Sequence, residues 1–187
     1  MNRANWQLAL VCGDQRVDLL TDPLSSGWTL SEKGANLTTS DISVNYTGAT
    51  PWRAGSNRTS SFRENAQFTL KLNLKNQVGL SALTKNVQDV YNFFMKTWYY
   101  YEEKGRDAVY LVVRRDEGYS GTGKNVVLYG RGDLYYEVVS VDNLTFPDEI
   151  YSSVMQGTGT ISLANTILKL TCKPYAVGKP TFVGEAT

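Results

Sequence analysis

The sequence predicts a mainly β, α+β domain: an antiparallel β-sandwich or barrel with one long amphipathic helix packed against it. Three observations carry that expectation. Phe68, Leu70, Leu72 and Leu74 alternate with Thr69, Lys71 and Asn73, the period-two pattern of a strand with one buried and one wet face. Shorter apolar runs recur between Gly, Asn, Asp and Pro clusters such as "TDPLSSG", "GATPWRAGSN" and "DNLTFPDE", which punctuate strands with turns. Only "SALTKNVQDVYNFFMKTWYYYEEKG" keeps a helical period over several turns.

Besides 68–74, strands are expected around 8–12, 42–46, 109–114, 126–129, 134–141, 160–163 and 167–172. The apolar stretch in "MNRANWQLALVCGDQRVDLL" is shorter than a signal-peptide core and runs directly into charge, so it reads as a strand of the mature protein. Residues 22–67, rich in Ser, Thr, Asn and Gly, predict long loops or a protruding hairpin. Trp28, Tyr46, Trp52 and Phe62 are too many aromatics there for a mere linker.

In the helical segment Leu83, Val87, Tyr91, Phe94, Trp98 and Tyr101 recur at spacings of three and four. They form one apolar stripe, with Ser81 and Gly105 as candidate caps. Such a stripe is expected to lie on the apolar face of the sheet. The same density would suit a binding groove or an assembly surface, but core packing is the commoner use. Tyr99 and Tyr100 fall off the stripe and are candidate partner contacts, since aromatics are enriched at interfaces.

Composition bounds the chemistry. A chain of 187 residues fits one domain spanning 1–187. Nineteen basic against 18 acidic residues leave a net charge of +1, which gives no field toward nucleic acid, and no apolar run is long enough to cross a membrane. Neither a membrane nor a specific nucleic acid is therefore expected as a partner. The absence of histidine removes Ser-His-Asp and Cys-His nucleophile systems and HExxH zinc sites. Cys12 and Cys172 lie in alternating apolar stretches and are expected as buried free thiols, in preference to a bridge between terminal strands. No catalytic, cofactor or metal site is expected; an enzyme survives only as a carboxylate-based hydrolase.

The closest approach to a catalytic motif is "GYSGTGKN", residues 118–125, where Gly118, Gly123 and Lys124 reproduce the GxxxxGK of a phosphate-binding loop. A P-loop needs a helix immediately downstream and a Ser or Thr to hold magnesium. Here Asn125 stands in the Ser/Thr position and the β-branched, aromatic "VVLYGRGDLYYEVVSV" follows, so the segment reads as a glycine-rich hairpin tip. The tripeptide Arg131-Gly132-Asp133 reads as an ordinary turn or strand kink. The sequons at Asn36, Asn45, Asn57 and Asn143 read as consequences of polar loops. Asp116 with Glu117, and Asp142 with Asp148 and Glu149, read as solvated turn charge, although glycoside hydrolysis would use such a pair if two acids faced each other. Arg53, Arg58 and Arg63 beside Trp52 and Phe62 would suit a single-stranded nucleic acid or a wet protein interface; the balanced charge favours the interface.

The order of strands, the single amphipathic helix, the hairpin "VYLVVRRDEGYSGTGKNVVLYGRGDLYYEVVSV" and the closing "LKLTCKPYAVG" resemble the N-terminal domain of bacteriophage distal tail proteins and, more broadly, the tail-tube-like fold. The likeness covers the chain from about Phe68 onward. In that family the last strand leaves through a Pro and aromatic turn, matched here by Lys173-Pro174-Tyr175. The resemblance implies a virion protein without enzymatic activity or cofactor. It would be a structural subunit forming a homo-oligomeric, usually hexameric, ring that joins the tail tube to the baseplate or receptor-binding apparatus, in contact with other tail proteins. Uncovered sheet edges and near-zero net charge are compatible with ring formation. The candidate interface residues are Trp52, Arg53 and Arg58 in the 47–66 loop, Tyr99 and Tyr100 on the helix, and Tyr119 and Lys124 at the hairpin tip. The alternative is a β-sandwich carbohydrate-binding, receptor-binding module in which Trp28, Trp52 and tyrosines stack on sugar rings.

Overall fold

Among the described residues of the computed structural model the elements follow in the order β1 (Asn5–Cys12), β2 (Gln15–Asp18), β3 (Gly27–Leu37), β4 (Ile42–Tyr46), β5 (Arg58–Arg63), β6 (Ala66–Val78), α1 (Gly79–Glu102), β7 (Tyr110–Asp116), β8 (Gly132–Thr145), β9 (Ile150–Ser152) and β10 (Thr160–Cys172). The structure describes residues 5–19, 27–38, 40–48, 55–116, 132–145, 150–152 and 160–184. The expected strand at 126–129 and the "GYSGTGKN" tip lie outside these residues.

One antiparallel sheet runs in the order β2-β1-β7-β8-β10-β6-β3, with β9 also paired to β10, and curls until it is nearly closed; β4 and β5 form a separate two-stranded sheet. The curl is built into β8. Its first half, Gly132 to Glu137, pairs with β7, while Val138 to Thr145 pairs with β10. Between Asn143 and Val141, and again between Ser140 and Val138, β8 advances two residues for one of β10. Each extra residue is a bulge that bends the strand and raises its twist.

The alternation at Phe68, Leu70, Leu72 and Leu74 puts all four side chains in the core. They meet Leu8 and Leu10 of β1, Leu111 and Val113 of β7, Val138 of β8, and Leu168 and Leu170 of β10. Burying such side chains is worth about 1.5–3 kcal/mol each, and this shared apolar interior is what closes the sheet on itself. The opposite face of β1 and β7 is covered too. Ala9, Val11, Val112 and Tyr135 pack with Phe182 of the C-terminal segment, which is tied down where Tyr135 and Val177 exchange backbone hydrogen bonds of 3.0 and 2.9 Å.

Two strands expected at 160–163 and 167–172 are one strand, β10. The polar residues between them are a bulge: from Leu163 to Thr166 β10 advances three positions while β6 advances two, from Leu74 to Leu72. Asn165 takes a left-handed φ of 61° there, a conformation Asn tolerates better than most residues, and its N–H donates to Oδ1 of Asn73 at 3.0 Å.

The described residues of 22–67 include β3 and the β4–β5 hairpin, and β3 is a strand whose pattern was broken. β3 pairs Leu30 with Leu72 and then Ala35 with Leu70. The intervening "SEKG" bulge interrupts the period-two signal and hid the strand.

The helix needs a larger correction. It begins at Gly79 and ends at Glu102, with Val78 and Glu103 as the cap residues and no side-chain cap, so Ser81 lies inside it. Gly105, at φ 79°, belongs to the turn beyond. The buried residues are Leu83, Val90, Phe93 and Thr97. Of the expected stripe only Leu83 is fully inside, Val87 and Phe94 are half-buried, and Tyr91, Trp98 and Tyr101 stand 49, 62 and 51% exposed. Thr97 satisfies its hydroxyl by donating to the Phe93 carbonyl at 3.0 Å, which lets a polar residue occupy the core line while the aromatics turn outward.

Candidate interaction surface

Among the described residues, exposed apolar side chains gather on a hairpin and on a helix flank, and each follows from local sequence. The first is the hairpin. In β4 the residues Ile42, Val44 and Tyr46 share one face by strand alternation; Ile42 and Tyr46 are exposed and Val44 is half-buried. Opposite them β5 is exposed along its whole length, with Ile42 facing Arg63, Val44 facing Ser61 and Tyr46 facing Arg58. The ladder is reinforced by side chains: Asn45 donates to Ser60 Oγ at 3.0 Å, Thr59 Oγ1 to the Asn45 carbonyl at 3.0 Å, and Arg58 to Ser61. At its base the Glu64 N–H donates to the Asp41 carbonyl at 3.1 Å. Arg63 lies over the Tyr175 ring, 5.6 Å from its centroid, an exposed cation–π contact worth about 0.5–1 kcal/mol.

The second face is a flank of α1. Leu80, Tyr91, Trp98 and Tyr101 are exposed along it, and Tyr91 stacks on Phe94 with ring centroids 5.6 Å apart and planes 11° from parallel. The Tyr101 hydroxyl donates to Glu137 Oε1 at 3.1 Å. Burial, and then the neighbouring Glu137 carboxylate, push that phenol well above its ordinary range.

Of the residues singled out from the sequence, Arg58 lies on the hairpin, exposed. Tyr99 and Tyr100 are not brought together. Tyr99 lines a cleft of about 340 Å³ with Cys12, Asp14, Lys96 and Arg106, whereas Tyr100 is half-buried and packs edge-on against Tyr101 at 4.9 Å. Trp52, Arg53, Tyr119 and Lys124 lie outside the described residues. The exposed Trp98, Tyr91 and Tyr101 were visible as a spacing but were assigned to the core, because periodicity gives a face without saying which way it turns.

Cys12 is the thiol that lines the cleft beside Tyr99. The Cys12 thiol is 3.4 Å from the Asp107 carbonyl, to which it donates, and burial raises its pKa, which suppresses the reactive thiolate. Cys12 and Cys172 are both free and buried. The Cys172 thiol is pushed up to about 12, chiefly by burial. Trp28 is only 2% exposed and belongs to the core, its indole N–H donating to the Asn86 carbonyl at 3.4 Å; it is not a platform for sugar rings. Among the described residues no group of three acidic or thiol side chains could hold a metal, and no helix is long and apolar enough to cross a membrane.

The chain matches no known protein family and no curated protein sequence.

Proposed function

We propose that this protein is a structural subunit that assembles with copies of itself into a closed ring, of the kind that joins a phage tail tube to the distal apparatus. The observation that carries the reading is the β4–β5 hairpin. It forms its own two-stranded sheet, and its apolar residues Ile42 and Tyr46, with Phe62 on the other face, are exposed. A two-stranded hairpin is marginal in water by itself, and exposed apolar side chains set beside Arg58 and Arg63 are what an arm laid on a neighbouring subunit offers. The main sheet adds two ends, β2 and β3, each paired on one side only among the described residues. A neighbour can extend such an edge, and head-to-tail repetition of one contact closes into a ring when the rotation allows it.

The hairpin can be removed without opening the domain, because Asp41 and Glu64 are already hydrogen-bonded at its base. Replacing residues 42–63 by a short Gly-Ser linker is expected to leave the β circular-dichroism signal and cooperative unfolding intact while abolishing rings. Light scattering and negative-stain images read the result. Rings of about six subunits in the parent chain, lost in the excised one, support the reading; rings that survive excision remove the hairpin from it, and a parent chain that forms none even with its neighbours supplied overturns it.

A further inference from the structure

We propose that the outward flank of α1 docks against the same flank of a second copy of this chain, antiparallel, across a two-fold axis. This contact is separate from the ring reading, since a ring repeats two different surfaces head to tail while a two-fold contact uses one surface twice.

The flank is a heptad-like line. From Leu80 the positions Thr84, Val87, Tyr91, Phe94, Trp98 and Tyr101 follow at alternating steps of four and three, the spacing with which one helix packs along another. The domain's own core takes a different line, Leu83, Val90, Phe93 and Thr97, with Val87 packed against it from the side, so that Leu80, Tyr91, Trp98 and Tyr101 of the second line are left exposed. Its N-terminal half is small or aliphatic and its C-terminal half is aromatic. Antiparallel pairing therefore puts Leu80 beside Tyr101, Thr84 beside Trp98 and Val87 beside Phe94, with Tyr91 meeting its own copy on the axis. Every layer then holds one large and one smaller side chain, except the central pair. Parallel pairing would set Trp98 on Trp98 and Thr84 on Thr84, crowding one end and leaving the other underfilled.

Charge points the same way. The helix has no acidic residue in its first turn and no basic residue in its last, and instead ends on Glu102, the wrong sign for its own C-terminal dipole, while the following Glu103 is paired with Arg106 at 2.7 Å. In the antiparallel pair Glu102 of each copy lies by the N-terminal turn of the other, where negative charge is favourable. No charged residue interrupts the line from Leu80 to Tyr101. Aromatic side chains bury 150–250 Å² each, so three that are about half exposed, with Leu80, supply on the order of 400 Å² per copy. That is below the roughly 800 Å² per partner of a standard interface, so the contact is a weak one that strengthens with concentration or with repetition in an assembly.

Sedimentation equilibrium of the full chain is expected to show a concentration-dependent doubling of whatever unit it otherwise forms. Trp98→Glu, at an exposed position, should weaken the doubling at least tenfold and leave the circular-dichroism spectrum unchanged. Oxidative cross-linking in a Cys12→Ala background fixes the geometry, because Cys172 is fully buried and only introduced thiols then react. Tyr91→Cys should cross-link to itself; Thr84→Cys alone should not, but should cross-link when mixed with Trp98→Cys. Absence of any doubling, doubling unaffected by Trp98→Glu, or Thr84→Cys cross-linking to itself would each overturn the proposal. Excision of the hairpin, which tests the ring, leaves this flank untouched, so the two ideas fail independently.

Discussion

The Tyr101 hydroxyl donates to Oε1 of Glu137 at 3.1 Å, and Lys173 holds the other carboxylate oxygen at 2.8 Å. This pair joins the C-terminal turn of α1 to the bend of β8 and, through Lys173, to the end of β10. The ring of Tyr101 stays half outside while its polar tip is anchored, so an aromatic residue is presented on the surface in a fixed direction.

Alkaline pH should loosen the fold, and Tyr101 and Cys172 give the test. Folding raises the Tyr101 phenol above its ordinary 10.0, and it raises the Cys172 thiol from 9.0 to about 12. Below pH 9 both groups are protonated in the folded and unfolded chain, and their contribution is fully present. Above it the unfolded chain gives up protons that the folded chain keeps, so stability falls as pH rises. Across pH 9 to 12 Cys172 accounts for a slope of about 1.4 kcal/mol per pH unit at most. Urea denaturation at stepped pH should show Cys172→Ala with a shallower decline than the parent, and Tyr101→Phe with a shallower decline above pH 10. Parallel curves for all three would refute the assignment.

Gly34→Ala should damage the edge strand. A Cβ at Gly34 would sit 2.6 Å from the Lys71 carbonyl oxygen and 2.7 Å from that of Ser31. Both are backbone atoms, so the bulge between β3 and β6 must open to admit a methyl group. A loss of about 1–3 kcal/mol is expected, the range for overpacking, with amide hydrogen exchange accelerating in residues 27–37 first. Wild-type protection in β3 would show that the bulge relaxes freely.

Asn165 offers the opposite test. Its left-handed φ of 61° costs a β-branched residue about 1–2 kcal/mol, and glycine nothing sterically. Asn165→Gly should therefore lie close to wild type in thermal unfolding, and Asn165→Val well below it. Equal melting temperatures for the two would mean that the bulge is not held in this conformation.

Much of the fold was legible because strand periodicity and burial agree where the chain has one wet face. Phe68 to Leu74 and Leu168 to Cys172 follow that rule. It fails at β3, where the bulge of "SEKG" breaks the alternation, and at Asn165, where one extra residue divides a single strand into two apparent ones. The candidate surface was legible as chemistry and misread as geometry. The heptad-like line containing Tyr91, Trp98 and Tyr101 is in the sequence, but a helix with a wide apolar arc offers two lines, and the sequence does not say which of them the sheet will cover.

What the sequence determined by itself is the class of the fold: alternating apolar residues must hide one face of each strand, and a single long helix with an apolar side must lie on the sheet they form. What tertiary structure decided is orientation. Leu83, Val90 and Phe93 fit the concave interior left by the curled sheet, and Thr97 joins them by bonding its hydroxyl within the helix. The bulkier Tyr91, Trp98 and Tyr101 are left outside, because packing selects among apolar faces by volume and shape, which a pattern of residue types does not contain.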